Sequence, residues 1–231
     1  MLEDGLSYPI SGDSAAGRIV IGGLLGFASV LVIPAFALLG YLVWVLGGAA
    51  RGEEEPPAFE DWGDMIVDGL KATAVTIVYG IVPFALVFLS VFVIGAGGAS
   101  GSDAGMSILG GIGLIGILVS ILAMFILYYL IPAALTNMAL EGEFGAAFDF
   151  GTIKQAVLSA DYLVAWLIPF VLAAVMNVVV FFLAVTIVGL IVVPFIQFYV
   201  QVAAFYMFGA AFGKVVGVEG TNTGEFDGTV A

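Results

Sequence analysis

Residues 162–213 read YLVAWLIPFVLAAVMNVVVFFLAVTIVGLIVVPFIQFYVQVAAFYMFGAAFG, 52 residues without one Asp, Glu, Lys or Arg. A helix needs about 20 apolar residues to cross the ~30 Å hydrocarbon layer, so this run is long enough for two crossings. Three further stretches are equally free of charge: Ile19–Ala50, Ala72–Ser102 and Ala104–Leu140. All 18 acidic and 5 basic residues fall in the tails and connectors between them. Only 10% of the chain is charged and mean hydropathy is +1.21, whereas a soluble domain carries about 25% charged residues. The pattern predicts an all-α, polytopic transmembrane bundle. Its five crossings are expected near 18–47, 71–94, 106–133, 162–185 and 189–213, between acidic tails 1–17 and 215–231. The first is read as one long helix bent at Pro34. The turn of the last pair is expected at Thr186 to Gly189.

The sign of the charge adds a second inference. A net charge of −13 crowded onto a small wetted surface repels itself in dilute buffer. At molar salt the Debye length falls to about 3 Å and the repulsion is screened. The acidity therefore points to a salt-loving source. It excludes nucleic acid as a partner, because little here could neutralise phosphates. The expected partners are membrane lipid, another membrane protein, or a second copy of the chain.

The two long connectors share a motif. Ala58-Phe59-Glu60-Asp61-Trp62-Gly63 parallels Ala147-Phe148-Asp149-Phe150-Gly151, each followed by a short amphipathic segment. Aromatics beside Asp and Gly suit interfacial anchors, with Phe59, Trp62, Phe148 and Phe150 at headgroup level. The amphipathic segments are expected as short interfacial helices. Arg51, Lys71, Lys154 and Lys214 share one side if the first run is a single crossing, and Arg18 takes the other. The positive-inside rule then puts the N-terminus outside and the C-terminus in the cytoplasm.

The run Gly40-Tyr41-Leu42-Val43, Arg51-Gly52-Glu53, Pro56-Pro57-Ala58-Phe59-Glu60-Asp61-Trp62-Gly63-Asp64 and Asp68-Gly69-Leu70-Lys71 resembles the signature of an archaeal membrane-protein family, domain of unknown function 4013. The resemblance implies a haloarchaeal multi-pass membrane protein. It implies no activity, substrate or catalytic residue.

The chemistry available is narrow. The chain has no His and no Cys, so the usual zinc, copper and haem ligands are missing and no metal or cofactor is expected. No base stands ready to activate a Ser or Thr, and no Lys lies within a crossing, so an enzyme is not expected. Gly110, Gly113 and Gly116, Gly22 and Gly26, and Gly209 and Gly213 recur at helical spacing, where small residues let two helices approach closely. Few polar side chains lie deep: Ser90, Ser120, Asn177, Thr186, Gln197 and Gln201. A tight hairpin brings Asn177 level with Gln197, with Gln201 on the same face. As interhelical glue these amides suit a membrane scaffold or accessory subunit, the favoured reading. The alternative is a channel or permease for an uncharged or lipid-like solute, lined by the three amides and the bends at Pro34, Pro83 and Pro169.

Overall fold

The computed structural model describes residues 1–218, and every regular element among them is helical. In chain order these are α1 (Leu2–Ser7), α2 (Ala15–Ala28), α3 (Val32–Ala50), α4 (Trp62–Ala99), α5 (Asp103–Glu141), α6 (Phe150–Val157), α7 (Ala160–Ala184) and α8 (Ile187–Val216). Short 3₁₀ turns cover Tyr8–Ile10 and Phe144–Phe148. Five helices, α3, α4, α5, α7 and α8, are long and apolar enough to cross a membrane. The chain is a multi-pass membrane protein. It divides into two compact units, Ala74–Ile131 and the remainder.

The larger unit begins with a departure from expectation. In place of one helix over 18–47, the chain breaks at residues 29–31 and doubles back. Along α2, Gly22 faces the Phe198 ring and Gly26 faces Pro194, so α2 runs against the direction of α8. Along α3, Tyr41 packs on Phe198 and the backbones of Leu46 and Ala50 face Gly209 and Gly213, so α3 runs with α8. The two helices form a hairpin whose tip is apolar, with Val30 93% exposed. Pro34 sits in the first turn of α3, where no intrahelical acceptor awaits its missing N–H.

The segment expected as an acidic tail folds against this hairpin. Tyr8 is buried, stacks on Tyr206 at 4.2 Å and donates its hydroxyl to the Glu55 carbonyl at 3.1 Å. Ser11 Oγ donates to the Glu54 carbonyl at 3.0 Å, and Tyr199 Oη donates to the Leu6 carbonyl. Residues 1–14 therefore lie at the same end of α3 as the connector 51–61. The second connector joins them there: Asn137, buried near the end of α5, donates to the Ala146 carbonyl at 2.8 Å, and Lys214 pairs with Asp161 at 3.2 Å. Of the expected C-terminal tail, residues beyond 218 lie outside the described residues.

The core of this unit is aromatic and aliphatic, built from Tyr8, Tyr41, Leu42, Val45, Met65, Phe198 and Val202. The segment after the first connector is not a separate interfacial helix, because α4 runs unbroken from Trp62. The second connector does carry a separate amphipathic helix, α6, which buries Ile153, Ala156 and Val157. Pro132 does not end α5, which continues to Glu141. The last pair turns at residues 185–186, where Thr186 Oγ1 accepts from Gly189 N–H at 2.9 Å and caps α8.

The smaller unit is a helical hairpin of α4 and α5, turning through Gly101 at φ +65°. Ser102 caps α5 by accepting from Gly105 N–H at 3.0 Å. The helices meet through small residues: a Cβ on Gly113 would sit 2.7 Å from the Ser90 carbonyl oxygen, and one on Gly116 would overlap Ser90 Oγ. Gly110 lies at the same crossing, its amide facing Gly97. Ser90 and Ser120 are buried, each donating to a carbonyl of its own helix. Outward, Phe84, Phe88 and Phe92 form an exposed stripe at four-residue spacing, as a lipid-facing surface should.

Candidate functional site at the connector face

The ends of α3, α4 and α5 enclose a cleft of about 410 Å³ within the larger unit. Trp44 from α3, Arg51 and Glu53 from the first connector, Asp68 and Lys71 from α4, and Met138 and Ala139 of α5 line it. The cleft holds two of the chain's five basic residues against two carboxylates, a local balance unlike the −13 of the whole.

Asp68 organises it. Trp44 Nε1 donates to Asp68 Oδ2 at 2.9 Å, and Lys71 Nζ donates to Oδ1 at 2.8 Å. Both oxygens of one carboxylate are thus engaged by two different helices' worth of chain. Lys71 lies three residues on from Asp68, where side chains on one helix face meet. Arg51 Nε donates to Glu53 Oε1 at 2.9 Å. Among the described residues this is the hydrogen bond of the Arg51 guanidinium, and its Nη atoms carry no further acceptor. Asp68 and Lys71 were legible only as the polar side of an amphipathic turn. Trp44 pointed to no partner, since 24 residues and a connector separate it from Asp68.

A second feature escaped the sequence altogether. Arg18, in the first turn of α2, is 5% exposed. It donates to Ser14 Oγ at 2.7 Å and to the Ser11 carbonyl, its Nε has no partner, and no carboxylate among the described residues pairs with it. It pins the 3₁₀ turn to α2. Burial raises the Tyr8 phenol well above its ordinary pKa, with Glu53 adding to the effect and Arg18 opposing it.

The motif residues divide between core and helix cap. Phe59 stacks on Tyr41 at 4.1 Å and 8°, so it packs inward rather than standing as an anchor. Trp62 lies 5.8 Å from Phe59 and is 42% exposed. Asp61 precedes α4 and Gly63 has open space around it. In the second copy, Phe148 packs edge-on to Phe144 at 5.5 Å and Phe150 is exposed. Asp149 caps α6, accepting from Gly151 N–H at 3.0 Å and Thr152 Oγ1 at 2.7 Å, and these bonds lower its pKa. The two stretches share one register: Asp before the helix, an aromatic then Gly opening it, and a buried residue at its fourth position, Met65 or Ile153.

The deep amides come together only in part. Asn177 and Gln197 line a common cavity of about 50 Å³ between α7 and α8, and Gln201 lies outside it. Asn177 Nδ2 donates to the Ala173 carbonyl of its own helix at 2.8 Å rather than across to α8.

The profile of the family described as "Protein of unknown function (DUF4013)" matches residues 24–185, well over half of the chain. The chain belongs to this family. The match runs from within α2 through α7 and so includes the cleft and both connectors. No curated protein and no solved structure matches the chain.

Proposed function

We propose that this DUF4013 protein is a non-catalytic membrane scaffold or accessory subunit, with its connector face in the cytoplasm. The observation that carries the reading is the cavity at Asn177 and Gln197. At about 50 Å³ it has room for a water or two and none for a solute. The Asn177 amide, bonded within its own helix, also offers little to a passing substrate. Ligand pockets run to about 300–1,000 Å³, a range that the polar cleft among the helix ends reaches and the cavity at the amides does not.

The hairpin supports one orientation. Arg18, Arg51, Lys71, Lys154 and Lys214 all belong to the N-terminal segment, the connectors and the helix ends that meet there, so the positive-inside rule favours a cytoplasmic face. Hydrogen bonds from Tyr8 and Ser11 to the first connector support a cytoplasmic N-terminus in place of the outward one expected above. The acidic connectors suit a protein working at molar salt.

The test is reconstitution of the full chain into liposomes at high salt. The scaffold reading expects no protein-dependent flux of small neutral solutes, together with a defined complex, of itself or with another membrane protein, that survives mild detergent. Flux that Asn177→Ala abolishes would favour the permease instead.

A further inference from the structure

We propose that the cleft between Trp44, Arg51, Glu53, Asp68 and Lys71 binds the phosphodiester head group of a membrane phospholipid from the adjoining leaflet. The phosphate sits between the Arg51 guanidinium and the Lys71 ammonium, and an amine or hydroxyl at the far end of the head group reaches Glu53. This goes beyond the scaffold reading and does not depend on it.

Three observations carry it. The first is depth. Trp44 and Asp68 each lie six residues inside the end of their helix, about 9 Å at 1.5 Å per residue. The polar zone outside the hydrocarbon is about 5–7 Å thick on each side, so with the helix ends at its outer edge Trp44 and Asp68 lie at its inner boundary and the cleft spans the level of lipid phosphates and glycerols. Indole rings favour that level too.

The second is unused donor capacity. Asp68 accepts one bond at each oxygen, from Trp44 and Lys71. The Lys71 ammonium has three donors and spends one there. Arg51 spends Nε on Glu53, leaving its Nη hydrogens for another acceptor. Guanidinium and ammonium are the two side-chain groups best suited to phosphate oxygens. Glu53 Oε1 is engaged while Oε2 takes no hydrogen bond among the described residues. The free capacity is thus donors on one side and an acceptor on the other, matching a head group with a phosphate and an N–H or O–H terminus.

The third observation separates a lipid from a dissolved phosphate. A dissolved phosphate is held by its polar contacts in the cleft alone. A lipid phosphate arrives laterally, within the membrane, and its chains add apolar burial against the surrounding helices. The volume of about 410 Å³ suits a head group.

The chain supplies its own control, having three lysines, Lys71, Lys154 and Lys214. Full-length protein in maltoside detergent is treated with an amine-acetylating reagent, with and without dihexanoyl phosphatidylethanolamine, and each lysine is quantified by mass spectrometry. The probe's own amine is held in molar deficit to the reagent. Slowed acetylation of Lys71 alone is expected, with Lys154 and Lys214 unchanged. Dihexanoylglycerol should not protect, and phosphoethanolamine should need at least about tenfold more, a difference of ~1.4 kcal/mol. Arg51→Gln should weaken protection of Lys71 about tenfold on the same scale. Protection of all three lysines or of none, equal protection by dihexanoylglycerol, or equal potency of free phosphoethanolamine would each overturn the lipid site. The lysine readout on the unmodified chain decides the matter even if Arg51→Gln does not fold.

Discussion

Gly40 on α3 and Gly69 on α4 face each other with no side chain between them. A Cβ built on either would lie 3.0 Å from the other's amide nitrogen, and would overlap the Met65 carbonyl from Gly40 or the Phe36 carbonyl from Gly69. The contact is reciprocal: each helix presses a carbonyl onto the other's glycine. Such close backbone approach allows Cα–H···O contacts as well as dispersion. It also sets the spacing of the two helices that form the cleft walls.

Gly40→Ala and Gly69→Ala should each destabilise by at least the ~1–3 kcal/mol typical of overpacking, since backbone rather than a flexible side chain must move. Because the two sites touch, the double variant should cost less than the sum. Gly63→Ala, with open space around it, should be near neutral. Thermal unfolding followed by size-exclusion chromatography in detergent measures all four. A Gly69→Ala protein as stable as the parent would sink this account of the crossing.

Asp68→Ala leaves the Trp44 indole N–H and the Lys71 ammonium without their acceptor. It should cost ~1–3 kcal/mol, the penalty for orphaning a half-buried donor. Lys71→Ala should cost less, because a partly exposed ion pair contributes at most ~1 kcal/mol. The order of the two unfolding midpoints, with the shift in Trp emission on Asp68→Ala, is the check.

With no native cysteine, single replacements report sidedness cleanly. Glu3→Cys, Glu54→Cys and Glu143→Cys should all react with a membrane-impermeant maleimide in inside-out vesicles and resist it in intact cells. Labelling of Glu3→Cys from the side opposite to Glu54→Cys would contradict the α2–α3 hairpin.

Asn177→Leu removes an amide whose hydrogen bond stays within α7. The change should alter the unfolding midpoint little, within the ~0.6 kcal/mol average of such contacts in membranes. A loss of several times that would mean the amide bonds across to α8 in the membrane.

Asp149 gives a pH dependence with a definite sign. Its folded pKa is lowered from 3.8, first by the Thr152 hydroxyl and then by the Gly151 and Thr152 amides. A lowered carboxylate pKa contributes stability that is in place above the unfolded pKa and is lost as pH falls through the folded one. Amide exchange at Gly151 and Thr152 should therefore accelerate, relative to neighbouring helices, only on the acid side of 3.8. Asp149→Asn should keep part of the cap and lose the acid step.

The helices themselves were readable from charge alone, because any run that escapes Asp, Glu, Lys and Arg for 30 residues has few places to be but lipid. Their breaks were not. Ser29-Val30-Leu31 carries no polar loop to mark the turn, and Pro34 reads equally as a kink or a first-turn residue. Tyr8-Pro9-Ile10 was the signal that residues 1–17 are more than a tail, being apolar among acids. The cleft stayed hidden because Trp44, Arg51, Asp68 and Met138 are joined by packing across three helices, with no spacing to betray them. Arg18 was counted as an external charge, and its place immediately before the uncharged run Ile19–Ala50 gave no sign of its burial.

The α2–α3 hairpin also bears on how the protein is made. Glu3, Asp4 and Asp13 precede an apolar loop whose two arms start and finish at one face. With the connector face in the cytoplasm, as proposed, those three carboxylates would not have to be carried through the bilayer during biosynthesis. In that orientation insertion would carry only the apolar tip at Val30 and Leu31 inward, doubled over, with the chain ahead of it left on the cytoplasmic side.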